Sequence, residues 1–281
     1  MAAEVQGLDA WVAHLSQVEI PVLRQTAREL ARLHQTPNRL DARSVAQVLL
    51  RDPLMVAKLL RHFEQQRRKG RSTDVLQVEQ VLMMLGLEPF FNTVPAQPLV
   101  DDVLQGRVSA LTAVLRVIKR SHRASIFAME WAARRLDMHY DEVRIAALLY
   151  HLAELLLWCF APDQMSEILS RQQEDRTLRS KAAQQAVFGF SFAELQTELA
   201  KKWGLPELLL TLMDERSSQL DRVRNVILAV NLARHSGNGW DDAALPDDYR
   251  DIGDFLRLSS DQVMALVGAN PGAVVPDARN D

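Results

Sequence analysis

The chain has 281 residues, with 33 Lys and Arg against 36 Asp and Glu, a net charge of -3 and a single cysteine. One cysteine excludes a disulfide framework and a four-cysteine zinc site, and the near balance of charge argues against a dedicated nucleic-acid binder, which usually carries a concentrated basic face. With 48% hydrophobic and 25% charged residues, the composition is that of a globular protein long enough to bury a core without a metal or disulfide staple.

The sequence holds 42 Leu, 7 Ile, 11 Gly and 11 Pro, and abundant leucine with few breakers points to helix. In 22–33, Val22, Leu23, Ala27, Leu30, Ala31 and Leu33 form a helical stripe. Asp41 and Ser44 open a further helical pattern over 45–63, which Pro53 interrupts. It is read as two helices meeting at Asp52-Pro53, with Asp52 as the cap and Pro53 in the first turn. Pro89, Pro95, Pro98 and Gly106 make 89–107 a break between an N-terminal helical group and a longer C-terminal one.

Asp141-Glu142 opens 143–160, whose apolar content is nearly continuous, as expected of one centrally buried helix. Gly237, Gly239 and Pro246 mark 236–251 as a second loop; Ser259-Ser260-Asp261 caps a helix over 262–267, and 269–281 reads as a frayed tail. No segment shows the alternation of a half-buried strand, so the fold is expected to be all-α. No uninterrupted apolar run approaches the roughly 18 residues of a membrane span, and Met1 to Gly7 lacks the pattern of a leader. A cytoplasmic location with no membrane partner is therefore expected.

Isolated chemistry is sparse. Cys159 lies in the apolar run 155–160 and reads as a small buried hydrophobe. His14, His34, His62, His139 and His235 are scattered without ligand spacing, and no phosphate-binding glycine loop or nucleophile elbow occurs. The cluster Arg67-Arg68-Lys69-Gly70-Arg71 reads as a solvated interhelical loop. Its functional alternative is an interaction loop for an acidic partner, a nucleotide or nucleic-acid phosphate.

Several segments fall in a recognisable order. They are Ile20-Pro21-Val22-Leu23, Leu50-Arg51-Asp52-Pro53-Leu54, Lys58-Leu59-Leu60-Arg61 and Val78 to Leu87, which ends in Leu85-Gly86-Leu87. Downstream come Ala147-Leu148-Leu149-Tyr150-His151-Leu152-Ala153-Glu154-Leu155 and Trp203-Gly204-Leu205-Pro206. The set resembles the HDOD family, the HD-related output domains of bacterial signalling proteins. The resemblance implies an all-α module over about 15–268, with an N-lobe to about 100 and an HD-like lobe over about 108–268. Residues 1–14 precede it and 269–281 follow.

Active members of the wider HD superfamily hydrolyse phosphate esters with metal ions held by a first His, an adjacent His-Asp pair and later His or Asp residues. The resemblance places Tyr150 and His151 at that pair, with Ala153 and Glu154 after it. Phe192 stands at a later His position and Arg216 at a frequent His-His pair, preceded by Asp214-Glu215; His122 lies near the first His. A ligand set so changed implies no metal, no other cofactor and no catalysis. The expected function is a signalling module acting by protein–protein contact. With no receiver, cyclase or DNA-binding segment visible, it is expected to act on an unidentified signalling partner in trans. Two alternatives stand beside it. One is a metal-dependent phosphohydrolase using His122, His151, Glu154 and Asp214 or Glu215. The other is a nucleotide sensor in the vestigial pocket, with Arg216 and His122 on phosphate.

Overall fold

The computed structural model describes residues 5–36, 38, 40–66 and 76–269. Arg67, Arg68, Lys69, Arg71 and the tail beyond Ala269 lie outside the described residues. The fold is all-α: among the described residues the only β pairing is an isolated parallel bridge between Val22 and Leu99. In chain order the helices are α1 Leu8–Gln17, α2 Arg24–His34, α3 Ala42–Leu49, α4 Pro53–Gln66, α5 Val78–Leu85, α6 Leu87–Thr93, α7 Val100–Leu104, α8 Val108–Arg134 and α9 Tyr140–Leu149. They continue as α10 Leu152–Phe160, α11 Pro162–Glu174, α12 Ser180–Phe188, α13 Phe192–Trp203, α14 Glu207–Leu212, α15 Asp221–His235, α16 Leu245–Leu256 and α17 Ser260–Val267. They fall into two compact units. The first is Met1–Lys119 with His151–Leu210; the second is Arg120–Tyr150 with Thr211–Asp281.

The first unit is built on α4, which is buried without interruption from Pro53 to Arg61. Asp52 caps it as expected, accepting from the backbone N–H of Leu54 (3.0 Å) and Met55 (3.2 Å). The same carboxylate accepts from the Leu23 N–H at 2.9 Å, so one buried side chain ties the start of α4 to the start of α2. Burial pushes the Asp52 carboxyl up, and the hydrogen bonds from Leu23, Thr26, Met55 and Leu54 act against it. One turn on, the Lys58 ammonium donates to the carbonyls of Ile20 and Gln97 and pairs with Glu19 at 3.1 Å. Arg61 donates to the Val18 carbonyl at 3.0 Å, its guanidinium 5.3 Å from the centre of the Trp203 ring. The Ile20-Pro21-Val22 segment is held between these cations and the bridge to Leu99, where Val22 N–H donates to Pro98 and Val100 N–H to Val22.

The rest of this unit packs apolar faces. α1 lies on α13, burying Trp11 and Leu15, and Trp203 Nε1 donates to Ser16 at 3.2 Å. Trp11, Phe188, Phe190 and Phe192 form an aromatic cluster with edge-on and tilted contacts between 5.6 and 5.9 Å. α10 is buried from Leu155 to Cys159 and packs on α4, α7, α11 and α13.

In the second unit α15 packs on α9 and α16, and α16 on α17. Ser259 caps α17 through a capping box with Gln262. Gly253 on α16 sits against the chain beyond: a Cβ there would stand 2.6 Å from the Leu258 carbonyl.

Two expectations are corrected. Residues 143–160 are not one helix. α9 ends at Leu149, and His151 (φ -106°, ψ 25°) leaves the helical region before α10 begins. A near-continuous apolar run carries no breaker, so periodicity has nothing to register there. Nor is 236–251 all loop: α16 starts at Leu245, because Pro246 occupies its first turn, where a missing N–H costs nothing. Measured by mean hydropathy rather than by an uninterrupted run, Tyr140–Phe160 is long and apolar enough to cross a membrane (21 residues, 1.6), yet 72% of its most apolar stretch is buried within the protein.

Candidate functional site

The residues at the HD-like positions fall into two groups, one in each unit. The second unit holds His122, Tyr150, Asp214, Glu215 and Arg216; the first holds His151, Glu154 and Phe192.

In the second unit, the Tyr150 hydroxyl donates to Glu215 Oε1 at 2.6 Å. Burial, with the Glu215 carboxylate beside it, pushes the phenol well above its ordinary range, so it stays a neutral donor at any physiological pH. Glu215 opens a short 3-10 turn, Glu215–Ser217, which Asp214 caps by accepting from the Arg216 N–H at 3.1 Å. The Arg216 side chain folds back on the same carboxylate, Nε to Oδ1 at 2.9 Å and Nη2 to Oδ2 at 3.1 Å. That contact holds Asp214 below the usual carboxylate range. Arg216 is paired, yet 88% of its side chain is exposed. His122 lies half-buried on α8, and its carbonyl accepts from Ser125.

In the first unit, His151 Nδ1 stands 3.4 Å from Glu154 Oε2, one helical turn on and with both side chains mostly buried. The Ala153 N–H between them, one of the orphan donors at the start of α10, is satisfied by Gln196 Oε1 at 2.8 Å. Phe192, at the first position of α13, belongs to the aromatic cluster: its ring is 5.9 Å from Phe188, and its N–H donates to Gln184. Burial pushes the Cys159 thiol up to about 12, which leaves it inert as a nucleophile.

The residues present do not fit an HD-type metal centre. At the positions that the resemblance gives to ligands stand a tyrosine donating to a carboxylate, a phenylalanine in an aromatic cluster and an arginine folded on an aspartate. Among the described residues, no group of three or more His, Cys, Asp or Glu side chains is placed to hold a metal ion. Sequence reading also missed two clusters in the second unit. His235 Nδ1 meets Asp248 at 2.6 Å, joining α15 to α16. Arg222 grips Asp137 through two 2.9 Å hydrogen bonds and reaches Glu142 at 3.3 Å. All three pairs join residues 13 or more apart, and only the folded chain brings them together.

A family model for the HDOD domain matches residues 20–218, and the chain belongs to the HDOD family. Solved structures share its fold. The MmoQ response regulator of Methylococcus capsulatus str. Bath is 20% identical, with a TM-score of 0.66 over 90% of this chain and 98% of that one. A virulence factor of Campylobacter jejuni subsp. jejuni is 16% identical, with a TM-score of 0.68 over 92% of this chain and 96% of that one. A search of curated protein sequences found no match.

Proposed function

We propose that this HDOD protein is a non-catalytic signalling module that works by protein–protein contact. The observation that carries the reading is the state of the three replaced positions. Tyr150 is hydrogen-bonded to Glu215, Phe192 is packed against Phe188, and Arg216 is folded on Asp214. Each side chain is engaged in its own neighbourhood; Phe192 and Arg216 supply no ligand for a cation, and the Tyr150 hydroxyl, held protonated, is a weak one. Metal-assisted hydrolysis needs several converging ligands that both activate water and neutralise phosphoryl oxygens. The response regulator that shares the fold is a protein of signal transduction, which agrees with this reading. The partner is then a signalling protein in trans, and the module belongs to the bacterial cytoplasm.

The test is metal analysis of the purified full chain, together with assays on phosphodiesters including cyclic dinucleotides. The expected result is no stoichiometric metal and no turnover. Stoichiometric metal that is lost in His151→Ala, or turnover lost with it, overturns the reading in favour of an altered hydrolase. Saturable nucleotide binding abolished by Arg216→Ala overturns it in favour of a sensor.

A further inference from the structure

The second unit holds an arginine engaged differently from its neighbours. Arg135, Arg216, Arg222 and Arg250 each pair with a carboxylate. Arg123, half-buried on α8, pairs with none among the described residues. Its guanidinium lies instead over two aromatic rings, 4.7 Å from the centre of Trp240 and 5.3 Å from that of Phe127, and its Nη1 donates to the Ser236 carbonyl at 3.2 Å. These contacts fix the plane of the group and use one of its five N–H donors.

Tyr249 on α16 adds an independent observation. It is only 6% exposed, and its hydroxyl is buried without a hydrogen-bond partner. Buried polar groups are nearly always bonded, and an orphan weakens the fold. A position that needed only the ring would be served by phenylalanine. This hydroxyl is also the electrostatic neighbour of Arg123: the Tyr249 phenol is the one ionisable group acting on that guanidinium. Burial and then Asp248 push the phenol up, and Arg123 acts against them.

Both groups donate, and together they carry one positive charge. The acceptor that satisfies a planar guanidinium and a neutral phenol at once is a carboxylate, bound through charge-assisted hydrogen bonds. A dianion such as phosphate fits less well, because Asp248, which meets His235 at 2.6 Å, already acts on the phenol. The enclosure of the hydroxyl favours a small molecule over the surface of a protein. Phe127 is buried on α8, whereas Trp240 is part-exposed between the Ser236–Asn238 turn and α16, so Trp240 is the ring that can yield to admit it.

We propose that Arg123 and Tyr249 form a binding site for a small carboxylate, the guanidinium holding its two oxygens and the Tyr249 hydroxyl donating to one of them. The site uses none of the residues at the HD-like positions. Titration of the full chain with acetate, followed by calorimetry and tryptophan fluorescence against sodium chloride at matched ionic strength, tests it. Acetate should bind saturably with a dissociation constant on the order of 1 mM, and inorganic phosphate more weakly. Trp240→Phe should remove the fluorescence change. Arg123→Lys keeps the charge but loses the planar fork, and should weaken acetate binding roughly tenfold. Tyr249→Phe should weaken it as well while raising the melting temperature of the free protein, because the orphaned hydroxyl is gone. A ligand contact and a structural role are separated by that pair of readouts. An acetate effect no larger than that of sodium chloride overturns the proposal, as does acetate binding that Tyr249→Phe and Arg123→Lys leave unchanged. Phosphate binding tighter than acetate, or a lowered melting temperature in Tyr249→Phe, overturns it too.

Discussion

The family segments of the first unit and the HD-like positions of the second handle charge differently. In the first, Asp52, Lys58 and Arg61 are buried, and their hydrogen bonds go mainly to the main chain: the N–H groups of Leu23, Leu54 and Met55, and the carbonyls of Val18, Ile20 and Gln97. In the second, Tyr150–Glu215, Asp214–Arg216 and Arg222–Asp137 are pairs between side chains, most of them exposed on at least one side. A buried charge costs several kcal/mol to desolvate and persists only with a full set of partners. An exposed pair is worth about 0–1 kcal/mol. The segments that identify the family in the first unit therefore determine the fold. At the HD-like positions of the second unit, the exposed pairs are expected to change with little effect on folding.

The largest test of this contrast is Asp52→Ala. Three N–H groups lose their acceptor, those of Leu54 and Met55 buried and that of Leu23 part-buried, and at about 1–3 kcal/mol for each unsatisfied buried group the loss should reach about 3–5 kcal/mol, measured by urea or thermal unfolding. Asp52→Asn keeps an acceptor and should cost less. It should also change the pH dependence. The Asp52 carboxyl is raised in the folded state, with burial the leading cause. The ionised form is therefore disfavoured by folding, and wild-type stability should fall as pH rises from the ordinary value of 3.8 through the raised one. Asp52→Asn should flatten that window. An unaltered slope would mean that Asp52 does not titrate there.

The exposed pairs of the second unit are expected to tolerate a lost charge, whereas its backbone is not expected to tolerate a lost glycine, and Gly253→Ala sharpens this distinction. A Cβ 2.6 Å from the Leu258 carbonyl meets backbone rather than a movable side-chain tip. The turn between α16 and α17 must shift, at about 1–3 kcal/mol for an overpacked site. A melting temperature equal to wild type would show that the α16–α17 corner is loose and that the tolerance of this unit extends to its packing.

Tyr150→Phe should cost about 1 kcal/mol, the net worth of one hydrogen bond, because the Glu215 carboxylate lies at the surface and regains water. If the proposed function is right, partner binding survives the change. A loss of several kcal/mol would place Tyr150 with Asp52 as a fold determinant and erase the contrast between the units.

Much of this was legible in the sequence for a simple reason. Asp52-Pro53 announces itself, because a capping carboxylate followed by a first-turn proline has few other uses, and Ser259-Ser260-Asp261 marks a helix start in the same way. The replacements Tyr150, Phe192 and Arg216 could likewise be read by position. Their engagements could not. Tyr150 meets Glu215 across 65 residues and Arg222 meets Asp137 across 85, and such distances are closed by tertiary packing rather than by periodicity. The break at Tyr150-His151 was hidden for a different reason: leucines on both sides satisfy a helix of any phase, and the signal of a turn is absent when both flanks are buried.

The smallest expected effect is at Arg216. Its guanidinium is exposed and its partner Asp214 keeps the Arg216 N–H when the side chain is removed, so the cap of the 3-10 turn survives and Arg216→Ala should leave the melting temperature unchanged. What should move is the titration of Asp214. The Arg216 side chain is the leading cause holding that carboxyl below its ordinary 3.8. A depressed folded-state value lends stability above 3.8 that is lost as pH falls through it. In Arg216→Ala the Asp214 midpoint, followed by NMR, should rise toward 3.8 while the backbone hydrogen bond still keeps it somewhat below. A large fall in stability with no shift in that midpoint would mean that Arg216 supports the fold through contacts other than Asp214, and the surface charges of the second unit would then matter to folding as much as the buried charges of the first.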